Sequence, residues 1–239
     1  MGRIVAIGGG ELRAGETLPI DRYIVSLARS ESPRLLFIPT ASHDSAGYIE
    51  LVQDVYGSLG CTVEALCLYG EESDDEIRRK VLTADIIYVG GGNTEAMMEL
   101  WRSRSVDRYL RQAYRAGTVL AGLSAGSICW FIAGHSDSEF IAGTDQPMYK
   151  WVRGLGLLPF LHCPHYNEPE RQGFDGFVDG QIADAIALEN NTAFVELDGE
   201  YFVIRSNESA RAFLLSWDGA AVHKRALSGE KDDCFVRAL

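Results

Sequence analysis

Two residues of this chain have the type and setting for nucleophilic chemistry. Ser124 lies within Gly122-Leu123-Ser124-Ala125-Gly126, between the apolar run Thr118-Val119-Leu120-Ala121 and a second apolar stretch, Ile128-Cys129-Trp130-Phe131-Ile132-Ala133. A buried strand that turns sharply into a helix lifts a G-x-S-x-G serine above a sheet edge, with the following N–H groups facing any oxyanion formed there. The same small residues would also suit a plain packing turn, so the motif needs a partner. A serine becomes nucleophilic when a base takes its proton and a third group orients that base. Of the five histidines, His165 fits best, because it follows the short apolar segment Leu161-His162-Cys163 and Pro164 and so reaches a sheet edge. Strand alternation buries its neighbour His162.

For the third group, Glu189, Asn190, Glu196 and Asp198 lie downstream near strand ends, and Glu189 directly closes Ile186-Ala187-Leu188. The Ala125 N–H is one expected oxyanion donor. Gly91 or Gly92, in the loop Gly90-Gly91-Gly92-Asn93, supplies another, since a residue without Cβ lets its N–H approach a ligand closely. Neither a G-x-G-x-x-G nor a G-x-x-x-x-G-K pattern occurs there, which counts against a nucleotide site.

The elements that must position these residues are legible as an alternation. Strand-like segments at 3–7, 34–39, 61–68, 85–89 and 118–123 are separated by helical ones near 20–29, 49–59 and 74–82 and by two more before 118. Continuous apolar strands between helices predict a parallel sheet covered on both faces, with sites beyond the carboxyl ends of its strands. Gly8–Gly10, Gly90–Asn93 and Ser124 should therefore share one edge. The second half is less regular. Residues 135–147 read as loops or a short hairpin, and Phe174, Phe177, Val178, Ile182 and Ile186 as one helix. Thr192–Leu197 and 201–205 read as strands joined by the hairpin signal Asp198-Gly199, with one more strand at 212–217. No repeat or linker interrupts the chain, so a single domain over 1–239 is expected.

A net charge of −12 argues against nucleic acid or an anionic membrane as partner. The N-terminal residues run straight into a strand without a signal sequence, and no apolar run could span a bilayer, so a cytoplasmic location is expected. Five cysteines without a C-x-x-C pair suit reduced thiols and offer no zinc framework.

Taken in order, Ile7-Gly8-Gly9-Gly10-Glu11, Val89-Gly90-Gly91-Gly92-Asn93-Thr94, Gly122-Leu123-Ser124-Ala125-Gly126-Ser127 and Pro164-His165-Tyr166 resemble the peptidase E family. Its members include aspartyl dipeptidases and, more distantly, cyanophycinases. The resemblance spans nearly the whole chain. It implies an α/β three-layer sandwich with a mainly parallel sheet, like that of class I glutamine amidotransferases (flavodoxin-like), with a terminal β-hairpin. It implies a serine-type dipeptidase of aspartyl dipeptidase type, preferring an N-terminal aspartate, with Ser124 as nucleophile, His165 as base and an oxyanion hole near Gly91, Gly92 and Ala125, working without metal or cofactor. The family's acid falls at Asn190, with Glu189 one residue earlier. Either Glu189 takes the role through a slight shift, or Asn190 orients His165 without a charge. Substrate recognition falls to Asn93 and to Arg171, on a shorter loop than the family's; the plain alternative for Arg171 is an exposed residue at a helix start. The expected partner is a small peptide substrate, with no nucleic acid and no membrane, and a homodimer is left open. Two rival readings are an α/β-hydrolase-type esterase using Ser124, Asp198 and His223, and a catalytically silent relative that binds amino acids or peptides.

Overall fold

Two sheets, not one, build the site. The computed structural model describes residues 2–138, 149–171, 173–178, 180 and 183–228. Cys234, Ile182 and most of the stretch expected to be loops at 135–147 lie outside the described residues. The first sheet has seven strands. Its parallel part comprises β1 (Arg3–Ile7), β5 (Val119–Leu123), β4 (Ile86–Val89), β2 (Arg34–Ile38) and β3 (Thr62–Ala65), neighbours in that order. The antiparallel pair β10 (Thr192–Leu197) and β11 (Glu200–Arg205) is added beyond β1.

Helices alternate with the first five strands as the apolar spacing predicts. They are α1 (Leu18–Ser26), α2 (Ala46–Ser58), α3 (Asp74–Thr83), α4 (Thr94–Ser103) and α5 (Val106–Ala116). Local chemistry sets their ends. Ser73 and Glu76 form a reciprocal capping box at the start of α3, and Gly117, with φ 92°, ends α5 in a left-handed conformation. One face of the sheet packs Val5, Ile7 and Phe37 against Ile20 and Ile24 of α1 and Val52 and Tyr56 of α2. The other face joins Ile4, Ile87 and Leu120 to Trp101 of α4 and Leu110 of α5, and in the same cluster to Phe131, Phe160 and Ile186 of the second sheet.

The second sheet is the main departure from expectation. It has six strands in the order β13 (Val222–Ala226), β12 (Ala212–Trp217), β9 (Ala185–Leu188), β8 (Leu158–Cys163), β6 (Phe131–Ser136) and β7 (Lys150–Arg153). Two segments read as helical enter it. The helix after Ser124 is a single turn, α6 (Ala125–Ile128), after which Phe131–Ser136 becomes β6. Likewise the helix expected to reach Ile186 stops early as α7 (Phe174–Val178), and Ile186 sits in β9. Both misreadings have one cause: short, wholly apolar runs carry no period that separates a buried strand from a buried helix. Among the described residues no helix is long and apolar enough to cross a membrane.

Candidate active site

Register brings the expected loops to one edge. Ile7 pairs with Leu123, and Val89 with Gly122, so β1, β4 and β5 finish level. Ser124 follows at φ 58° and ψ −115°, a conformation that costs a non-glycine residue about 1–3 kcal/mol. The chain pins it from both sides. Its N–H donates to the Ile7 carbonyl at 3.2 Å, and its carbonyl accepts from the N–H groups of Ser127 and Ile128 at 2.9 and 3.0 Å. The flanking glycines are required by close approach: a Cβ on Gly122 would overlap the Gly126 carbonyl, and one on Gly126 the Val89 carbonyl.

The base arrives from the other sheet. Cys163 at the end of β8 pairs with Ala187 of β9, so Pro164-His165 and Leu188–Asn190 leave side by side, tied by the Tyr166 N–H on the Leu188 carbonyl at 3.1 Å. His165 adopts φ 142° and sets its Nε2 2.6 Å from Ser124 Oγ. Its Nδ1 lies 3.0 Å from Asn190 Oδ1. Asn190 sits where the chain crosses from β9 in the second sheet to β10 in the first, and the Asn191 N–H donates to the Gly9 carbonyl at 2.9 Å. Gly9 lies directly beneath the pair; a Cβ there would overlap both Asn190 Oδ1 and His165 Nδ1. Asn190 Nδ2 in turn donates to Glu168 Oε1 at 3.0 Å, and the same oxygen is 3.5 Å from His165 Nδ1. The contact with His165, helped by the Asn190 bond, holds the Glu168 carboxyl down to about 2 against the opposing effect of burial. A hydroxyl, an imidazole and an orienting oxygen thus stand in line, an arrangement able to move a proton from Oγ to Nε2.

The family model for peptidase family S51 matches residues 4–204, a span that contains every one of these residues. The chain belongs to peptidase family S51. It is 34% identical over 218 residues to the uncharacterized peptidase YgaJ of Bacillus subtilis (strain 168), covering 89% of this chain and 91% of that one. It is 26% identical over 197 residues to peptidase E of Shewanella denitrificans, covering 76% and 79%. The crystal structure of a peptidase from an acI-B1 Actinobacterium matches with a TM-score of 0.72 over 97% of this chain and 96% of that one; at 19% identity this speaks for the fold alone.

In this S51 chain the other expected residues are placed unevenly. Glu189 is not brought to His165. Its carboxylate accepts the Arg211 N–H at 2.8 Å and its own N–H donates to the Arg211 carbonyl, because it continues the β9–β12 pairing and points away from the side Asn190 occupies. Gly91 lies beside Ser124, the position of a Cβ there being 3.3 Å from the Ser124 Cβ, and its N–H makes a long 3.4 Å bond to the Tyr48 hydroxyl. Gly92 is turned against the Ala41 carbonyl. The Ala125 N–H, at the first position of α6, has no hydrogen-bond acceptor among the described residues. Asn93 caps α4, its Oδ1 accepting the Ala96 N–H at 3.0 Å while its Nδ2 donates to the Ser138 carbonyl at 3.3 Å.

Arg171 is neither exposed nor free. It is buried, donates to the His135 carbonyl at 2.8 Å, pairs with Asp137 at 3.3 Å and lies over the Tyr149 ring. His223 meets Asp218 at 2.5 Å on β13, so the rival order Ser124, Asp198, His223 is not assembled. His162 is fully buried, as alternation requires. Among the described residues no group of three or more His, Cys, Asp or Glu side chains is placed to hold a metal ion. Two residues of the site escaped sequence reasoning. Gly9 carried a signal in the triple glycine after β1, but only the crossover at Asn190 shows what it makes room for. Glu168 lies one turn after His165 and had no signal of its own.

Proposed function

We propose that this S51 peptidase is a serine peptidase of short peptides, a dipeptidase, acting through an acyl-enzyme on Ser124. The observation that carries the reading is the 2.6 Å contact between His165 Nε2 and a serine held at φ 58° on a strand-to-helix turn. With Nδ1–H donated to Asn190 Oδ1, the Nε2 lone pair faces Oγ and takes its proton as Oγ attacks the scissile carbonyl. The Ala125 N–H and the Gly91 N–H, once released from Tyr48, would hold the oxyanion. His165 then returns the proton to the leaving amine, and a water activated by the same nitrogen releases the acyl group. The scaffold suits the amidotransferase-like reading, with the nucleophile after a central parallel strand. The net charge of −12 is consistent with a peptide rather than a nucleic acid or membrane partner, and five cysteines without a C-x-x-C pair suit work in the cytoplasm.

A preference for N-terminal aspartate gains no support from Arg171, whose charge is answered by Asp137. Hydrolysis of a panel of dipeptide amides and p-nitroanilides with aspartyl, glutamyl and neutral first residues, by wild type and Ser124→Ala, tests the proposal. Cleavage that disappears in the variant is expected, and without restriction to aspartyl substrates. Absence of any Ser124-dependent cleavage would contradict it and favour a silent peptide-binding protein.

A further inference from the structure

We infer that Glu168 is a positioning residue that fixes the Asn190 amide, and through it the tautomer of His165, while supplying the negative charge that Asn190 lacks. The inference rests on the serine-peptidase reading above. Its basis is the opposite polarity of the two ends of an amide. Asn190 shows an acceptor to His165 Nδ1 at 3.0 Å and a donor to Glu168 Oε1 at 3.0 Å. An ionised carboxylate can only accept, so Glu168 selects the NH2 end and leaves the oxygen for His165. That oxygen can only accept, so Nδ1 must carry the hydrogen and Nε2 the lone pair that faces Ser124. The reversed amide would set oxygen against oxygen at Glu168 and NH2 against Nδ1. His165 would then be protonated at Nε2 and unable to act as a base.

The second contribution is charge. A neutral asparagine stabilises an imidazolium less than a carboxylate does, yet Glu168 Oε1 lies 3.5 Å from Nδ1, close enough for its charge to act on the ring. The turn that brings it there is short: the Glu168 N–H donates to the His165 carbonyl at 3.1 Å, and the Asn190 N–H is held by Asn167 Oδ1 at 2.8 Å. The other charged or titratable groups acting on this corner are Arg171, committed to Asp137 and the His135 carbonyl, and His162, buried behind His165. Charge at one remove thus takes the place of the missing carboxylate.

The test compares full-length wild type, Glu168→Gln and the double variant Glu168→Gln/Asn190→Asp on a peptide substrate that wild type cleaves. In E168Q, kcat should fall about tenfold with KM little changed, and the acid limb of the pH profile should move down by about 1 pH unit, the equivalent of that factor. The double variant, which places the carboxylate directly on Nδ1, should recover kcat and bring the limb back up. An E168Q enzyme with kcat and limb unchanged, or one that loses kcat without moving the limb and is not rescued, would overturn the inference. Failure of the parent reading is visible separately, as a wild type without Ser124-dependent cleavage. Even then the ¹⁵N NMR shifts of the neutral His165 ring read the tautomer without substrate: the hydrogen should sit on Nδ1 in wild type and be divided between the two nitrogens in E168Q, and an unchanged tautomer in E168Q would overturn the inference.

Discussion

The molecule contains two serine–histidine pairs, offset by three residues on each side. Ser124 Oγ meets His165 Nε2 at 2.6 Å; Ser127 Oγ meets His162 Nε2 at 2.8 Å. Each ring offers Nδ1 to an oxygen from the same stretch of chain, Asn190 Oδ1 at 3.0 Å in one case and the Ile186 carbonyl at 2.9 Å in the other. Only their surroundings differ. His165 is partly open, its side chain 18% exposed, whereas His162 is sealed, stacked on Phe131, and pushed by burial down to about 3. Ser127 is enclosed in the elbow, its single O–H shared between the Ser124 carbonyl at 2.7 Å and His162 Nε2, while Ser124 stands out at positive φ beside Gly91 and the Ala125 N–H. A serine–histidine contact is therefore a piece of polar packing until access and oxyanion donors are added.

The largest effect that would sharpen this contrast is on turnover. Ser124→Ala or His165→Ala should lower kcat by about 10⁴-fold or more, as loss of a triad member does elsewhere, whereas Ser127→Ala should keep most of the activity; steady-state kinetics on one cleaved peptide decides. Equal losses at both serines would break the distinction. Next is Gly9→Ala, which presses a methyl against Asn190 and His165 without touching the inner pair. A displacement of about 1 Å there should cost about 100-fold in kcat, with an unchanged circular dichroism spectrum.

The inner pair answers in stability instead. Ser127→Ala leaves the buried His162 Nε2 without its partner and should destabilise the fold by about 1–3 kcal/mol, read in thermal or urea unfolding. The last effect is on the pH dependence of stability. Below about 6.5 the unfolded chain protonates this histidine, while the folded chain resists until about 3, so the unfolded state binds more protons and stability should fall as pH drops through that window. Buried His135, also held down to about 3, adds the same sign. Asp21, pushed up by burial to about 6, has the opposite sign over the same range, so the histidine part is read on the ring itself: an NMR titration in which His162 of the folded protein protonates near 6.5 would contradict the buried neutral assignment.

The contrast also marks how far sequence alone reaches. Ser124, His165 and the glycine loops were legible because strand ends in a parallel sheet gather at one edge, and because alternation told His162 from His165. The choice between Glu189 and Asn190 was not. It depends on which side of β9 each faces at the crossover between two sheets, and the second sheet itself was hidden in short apolar runs such as 128–133 and Ala185–Leu188 that carry no period. The burial of Arg171 was hidden for a related reason: it arises from His135, Asp137 and Tyr149, none adjacent in sequence.

The central claim, that the outer pair alone is chemically competent, is tested most directly by fluorophosphonate labelling followed by peptide mapping. The account predicts one adduct, on Ser124, lost in Ser124→Ala, strongly slowed in His165→Ala and retained in Ser127→Ala. An unlabelled wild type, or an adduct on Ser127 or one that survives Ser124→Ala, would contradict it.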